Sequence, residues 1–295
     1  MKTNEKEIKA LINLIDDPDE FVYQQIRSRL IELGEPVIPS LENVWEFNSL
    51  GALFQDRIED IVHQIQLDQL KTDLTNWFNN GADNLMEGML IINRYQYPEI
   101  DTELIKEQIK SISRQIWIEL NENLTAIEKV RVFNNVLFNN LGFHGNKKNY
   151  HSPNNSYLST VLETKKGNPL LLSALYMLVA EQLEEPIYGV NLPSHFLLAY
   201  VDKHNIAQLL NNSDSNVLFY INSFSSGSLL HKKEIESFLE QLDLPKKKEF
   251  FEPCTVLHII IRMLNNLMYS YQQAGLPEKV EELDQLMALI SDPND

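Results

Sequence analysis

The chain has 295 residues, 43% of them hydrophobic and 23% charged, with only 10 Gly and 12 Pro; that composition supports a substantial core and excludes a disordered, collagen-like or low-complexity chain. Asp and Glu number 42 against 25 Lys and Arg, a net charge of -17, which repels phosphate backbones and anionic lipid and makes nucleic acid and membrane poor partners. A lone cysteine, Cys254, permits no internal disulfide or cysteine metal cluster, and neither a targeting segment nor a membrane-length apolar run is visible, so the expected compartment is the cytoplasm.

From Glu5 onward, apolar residues recur at helical spacing: Ile8, Leu11, Ile12 and Ile15, then, after Asp16-Asp17-Pro18-Asp19, a second set of Phe21, Val22, Ile26, Leu30 and Leu33. The spacing predicts paired helices. Gly34 can end the second, and Pro36 can open a third through Val37, Leu41, Val44 and Trp45, because proline is tolerated in a first turn. These turns resemble the HEAT-type helical repeat. One unit and a weaker second, Asn48 to Leu70, fall short of the three an independent array needs, so the helices are expected to pack on something else. Amphipathic stretches at Asp83 to Tyr95, Asp101 to Leu120 and Leu124 to Leu137 extend the helical region.

From Leu141 to Asn155 the chain is rich in turn formers, which predicts a surface loop. Ser156 to Lys165 reads as a helix, and Asn168-Pro169 reads as an N-cap and first-turn proline opening an apolar, mostly buried helix to Leu183. Strand character follows at Ile187 to Val190, His195 to Val201 and Val217 to Asn222, predicting a small antiparallel sheet on the Pro169 helix. Helices return at Lys232 to Leu242, Cys254 to Ala274 and Pro277 to Ile290, the last two as an amphipathic hairpin.

A helix whose N-terminus faces two antiparallel strands, with His on the first and an amide or carboxylate on the next, is the arrangement of papain-like and transglutaminase-like folds. The residues are more specific: Asn155-Ser156-Tyr157-Leu158, Lys166-Gly167-Asn168-Pro169, Leu192-Pro193-Ser194-His195-Phe196-Leu197 and Arg262-Met263-Leu264-Asn265-Asn266-Leu267 together resemble the bacterial SirB-type family. That resemblance implies an α+β, mainly α fold: a helical N-terminal region with a HEAT-like start (1–120), a transglutaminase-like core (121–245) and a C-terminal, tetratricopeptide-like hairpin (246–295). In catalytic members of the wider superfamily a cysteine opens the central helix, a histidine lies on a following strand and an aspartate on the next. Here the resemblance places the nucleophile position at Pro169, the base at His195 and the orienting acid at Asn222. Asn can hold an imidazole tautomer but cannot stabilise imidazolium as a carboxylate would.

Losing a member of such a triad costs on the order of 10⁴ to 10⁶ in turnover, so a proline at the nucleophile position points to a protein that is not an enzyme. Substitutes are poorly placed. Ser173, one turn into the same helix, reads as a small packing residue; Ser194 adjoins His195, but successive strand side chains point to opposite faces. Cys254 follows Pro253 at a helix start, where the dipole could lower its pKa, yet a free cysteine is more commonly a small buried hydrophobe. His195 is either a residual base or ligand-binding imidazole beside Asn222, or a hydrogen-bonded histidine fixing two strands.

His144 and His151 flank the Asn-rich loop, while His204 and His231 lack companions at ligand spacing; no metal site is expected. No phosphate loop or dinucleotide fingerprint occurs, so no cofactor is implied. Lys246-Lys247-Lys248 reads as a solvated loop, and Trp45, Trp77 and Trp117 as packing residues. Asn155, Tyr157, Asn168 and Ser194 are the candidate ligand-binding residues. The expected function is a non-catalytic binding, scaffold or regulatory module for a protein or peptide partner; the alternative is a hydrolase or acyltransferase using His195 with Cys254 or Ser173.

Overall fold

The structure is a computed structural model that describes residues 5–47, 51–203 and 215–291. His204 lies outside the described residues, as do the first three positions of the stretch from Asn48 to Leu70. Packing divides the chain into two compact units, Met1–Asn76 and Trp77–Asp295.

The first unit is built from α1 (Glu5–Ile12), α2 (Glu20–Leu33), α3 (Ile38–Phe47) and most of α4 (Ala52–Asn79). Asp19 caps α2 by accepting from the Phe21 N–H at 2.9 Å. Gly34, at a φ of 70°, ends it and passes the chain to a 3₁₀ turn containing Pro36, since only glycine enters that backbone region without strain. Ile12, Ile15, Leu30, Leu41, Phe54 and Ile61 are buried in one cluster. The buried Arg57 guanidinium ties the α1–α2 turn to α4, donating to the Ile15 and Asp17 carbonyls at 2.7 and 2.9 Å. These helices therefore bury their apolar stripes against one another.

The second unit contains α5 (Leu85–Arg94), α6 (Thr102–Glu119), α7 (Ala126–Asn134), α8 (Leu158–Thr164), α9 (Pro169–Gln182), α10 (Lys232–Gln241), α11 (Val256–Gln273) and α12 (Pro277–Ala288). Every α9 residue from Leu170 to Ala180 is buried, as a helix apolar on all sides must be. Within this unit α6 lies against α9, and α5 approaches α11 so closely that a Cβ on Gly88 would sit 2.9 Å from Ile260. α11 packs on both α5 and α9.

Two short strands, β1 (His144–Gly145) and β2 (Lys166–Gly167), pair in parallel. Four others, β3 (Ile187–Val190), β4 (Leu197–Val201), β5 (Val217–Asn222) and β6 (Ser228–Leu230), form an antiparallel sheet in sequence order. All five β4 residues are buried: α9 packs against β3 and β4, and Leu197, Ala199 and Tyr220 cluster with Ile235 and Leu239 of α10. The molecule is thus mainly helical with small sheets, as the α+β expectation required.

The sequence expectation of a strand beginning at His195 is displaced by two residues. Leu192 O accepts from the His195 N–H at 3.1 Å and Ser194 takes a φ of 59°, so Pro193 and Ser194 form the centre of a tight turn. His195 leaves that turn before pairing begins at Leu197.

Candidate functional site

The site begins with the cap of α9. The Asn168 carbonyl oxygen accepts from the Leu171 N–H at 2.8 Å, and its amide donates to the Ser156 hydroxyl at 2.8 Å. This fixes the start of the helix, where Pro169 occupies the first turn. Beside Pro169 the chain brings together the Ser194-His195 turn, Tyr150 and His151 of the long loop, and a polar stripe of α11. Together they border a cleft of about 100 Å³.

Of the residues singled out from the sequence, Asn168, Pro169, Ser194 and His195 line this cleft. His195 is exposed, with Nδ1 2.7 Å from the Ser194 carbonyl and its ring stacked on Phe238 at 4.7 Å between centroids, 8° from parallel. Among the described residues that ring is hydrogen-bonded to no hydroxyl, no thiol and not to Asn222. Asn222 ends β5, its side-chain oxygen accepting from the Ser225 N–H at 3.2 Å, and it does not line the cleft.

Asn155 and Tyr157 stand behind the site. The buried Asn155 amide donates to the carbonyls of Asn149 and Tyr150 at 2.7 and 3.0 Å, and its oxygen accepts from Asn146 at 2.8 Å; it holds the loop that presents Tyr150 and His151. Tyr157 is fully buried, with its hydroxyl 2.8 Å from that of Tyr271.

The substitute nucleophiles sit elsewhere. The buried Ser173 hydroxyl donates to Ser223 at 3.2 Å. Cys254 precedes the Thr255 cap of α11 and is therefore outside the helix. Its N–H donates to the Gly189 carbonyl at 2.8 Å, and burial pushes the thiol up to about 11, against the lowering that a helix start would bring. Neither lines the cleft.

His144 sets Nδ1 2.8 Å from the Gly142 carbonyl, while His151 meets the Tyr150 and Tyr269 rings edge-on. Among the described residues no group of three or more His, Cys, Asp or Glu side chains is placed to hold a metal ion. No helix among them is long and apolar enough to cross a membrane.

Sequence reasoning did not single out the cleft-lining face of α11. Arg262, Asn266 and Ser270 follow one another four residues apart and all line the cleft, beside a buried stripe of Ile259, Met263 and Leu267. The four-residue repeat of polar side chains next to an apolar stripe was the available signal. Arg262 Nη1 donates to Asn191 at 3.0 Å, and burial holds the guanidinium below its ordinary pKa. A larger groove, about 680 Å³, lies between α6 and α9 beside Trp117, which is 68% exposed. Its lysines pair along their own helix, Lys106 with Glu103 and Lys110 with Glu107.

Residues 103–265 match the family model of the transglutaminase-like superfamily. A UPF0162 protein of Xylella fastidiosa is 37% identical over 114 residues, covering 39% of this chain and 41% of that protein. F-box only protein 21 of Homo sapiens is 31% identical over 274 residues, covering 84% of this chain and 41% of that one. A UPF0162 protein of Haemophilus influenzae is 26% identical over 152 residues, 49% of this chain and 55% of its own. The chain spans about two fifths of the length of the first two of these relatives. No solved structure matches it.

Proposed function

Because this chain belongs to the transglutaminase-like superfamily, we propose that it is a member that binds a protein or peptide at the opening of its central helix without performing thiol chemistry there. The observation that carries this reading is the pairing at the cleft: Pro169 supplies no nucleophile, and the His195 ring bonds a backbone carbonyl rather than a hydroxyl or thiol. A base lacking a nucleophile within hydrogen-bond reach has nothing to activate. The aromatic rings of Tyr150, Tyr269 and Phe196 and the amide groups of Asn168 and Asn266 suit adaptable contact with peptide, large apolar faces beside orienting donors. The narrower kinship with SirB-type proteins, the repeat-like character of the flanking helices and a cytoplasmic location belong to the same proposal.

The purified chain, incubated with ester and amide substrates and with iodoacetamide and fluorophosphonate probes, is expected to show no turnover and no labelling that depends on His195. Labelling of Cys254, Ser173 or any cleft hydroxyl that disappears in His195→Ala would overturn the reading and restore the hydrolase or acyltransferase alternative.

A further inference from the structure

We propose that the cleft is a carboxylate-binding site, with Arg262 as its cation and a peptide carboxylate as its ligand. The inference rests on the binding-module reading and names the chemistry that the module recognises.

In a chain with 42 acids against 25 Lys and Arg, a partly buried guanidinium would ordinarily be met by a carboxylate. Arg262 is not: among the described residues its one hydrogen-bond acceptor is the neutral Asn191, at 3.0 Å. That bond uses Nη1 and leaves the Nε–Nη2 edge, the planar fork that matches a carboxylate in two parallel hydrogen bonds, without a protein acceptor. Burial works against this charge, since desolvation is what lowers the Arg262 pKa. An uncompensated cation is costly to keep partly out of water, and an incoming anion would offset that cost.

The rest of the lining is consistent. Among the described residues no acidic side chain borders the cleft. Asn266 sits one turn along α11 from Arg262, and Ser194 and Ser270 add hydroxyls that can donate to an oxyanion. The cleft, about 100 Å³, has room for a carboxyl group, and the remainder of the ligand would lie across the exposed rings of Tyr150 and Tyr269. A singly charged carboxylate is favoured over phosphate because Arg262 supplies one positive charge, and the surrounding field of a chain at -17 repels a second negative charge more strongly.

The test uses the full chain, isotope-labelled, with the Arg262 Nε–H and Asn266 side-chain amide followed by NMR. Four probes are titrated: acetyl-Ala-Ala-Ala as free acid, the same peptide as its amide, acetyl-Ala-Glu-Ala amide, and inorganic phosphate. The free acid, the glutamate peptide or both are expected to shift the Arg262 resonance in a saturable way, while the tri-alanine amide leaves it unmoved; comparing the two acids distinguishes a chain terminus from an acidic side chain. Arg262→Gln should weaken the binding about tenfold or more, and Arg262→Lys by less, since the charge survives without the fork. Acid and amide binding alike, no response to any carboxylate, or an Arg262→Gln variant that binds as tightly as the parent overturns the proposal. Phosphate binding more tightly than every carboxylate overturns the choice of ligand. The parent-chain titration stands even if Arg262→Gln does not fold. A His195-dependent labelling result would sink the binding-module reading without altering these titrations.

Discussion

Replacing Asn168 by Ala is expected to destabilise the second unit by about 2 to 4 kcal/mol. Two separate losses make up that figure. The side-chain oxygen satisfies the Leu171 N–H at 2.8 Å, and removing an N-cap costs about 1 kcal/mol, with a range of roughly 0.5 to 2. The amide also donates at 2.8 Å to the Ser156 hydroxyl, which is only 1% exposed; orphaning a buried polar group costs about 1 to 3 kcal/mol. Asn168→Asp separates the two effects. It keeps the cap and places a negative charge at the positive end of α9, worth about 0.3 to 1 kcal/mol, and the Ser156 hydroxyl can rotate to donate to it. Urea unfolding followed by circular dichroism measures the difference, provided the m-value is unchanged. The expected order is parent close to Asn168→Asp, with Asn168→Ala well below. Ser156→Ala closes the cycle: if the orphaned hydroxyl matters, the double variant loses less than the sum of the singles. Asn168→Ala within about 0.5 kcal/mol of the parent, below the usual range for a lost cap, or Asn168→Asp as damaging as the alanine, would refute the reasoning.

Three further predictions follow from named contacts. Tyr271→Phe should be more damaging than Tyr157→Phe in the same unfolding assay, by about 1 kcal/mol: Tyr271 donates to Gln96 at 3.0 Å and so accepts from Tyr157, whose fully buried hydroxyl would lose its partner. Gly189→Ala should cost about 1 to 3 kcal/mol by overpacking and shift the NMR signals of the cleft, because the new Cβ would stand 2.6 Å from the Phe196 ring, a cleft wall, and 3.2 Å from the Met177 sulfur; an unshifted cleft would show that the ring gives way elsewhere. Burial raises the Cys254 thiol to about 11, so the folded chain holds that proton longer than the unfolded one. This contribution is fully present below the ordinary thiol value and disappears as pH rises through about 11. Cys254→Ala should therefore flatten the alkaline fall in stability, and iodoacetamide at neutral pH should modify native Cys254 at least about tenfold more slowly than the urea-unfolded thiol.

What was legible in the sequence was mostly local. Asn168-Pro169 could be placed because a cap and a first-turn proline act within four residues, and the burial of α9 followed from its lack of any polar face. The strand that began too early shows the limit: alternation cannot detect that Ser194 takes a positive φ, and a Pro-Ser turn followed by His-Phe-Leu-Leu has the texture of strand throughout. β6, with three residues after Gly227, is too short to have a period. The six-residue π-helical turn at Asn135–Asn140 depends on how α7 meets its neighbours and has no composition of its own. Arg262 was legible as part of a motif on an amphipathic helix, but that among the described residues it meets Asn191 rather than a carboxylate is a property of the assembled unit.

The proline at the start of α9 does more than remove a thiol. A helix N-terminus offers anions its unpaired N–H groups, but Pro169 has none, and Asn168 takes the one from Leu171. Two first-turn donors that a free helix end would present are thus withdrawn, and under the carboxylate proposal the attraction for negative charge passes to α11, whose Arg262 lines the same cleft. An α11 positioned by its buried Ile259, Met263 and Leu267 stripe carries Arg262 and Asn266 on the adjoining face, so the packing that builds the core also sets the binding group. The C-terminal hairpin is therefore part of the site, and a ligand at the opening of α9 would be read chiefly by side chains from α11.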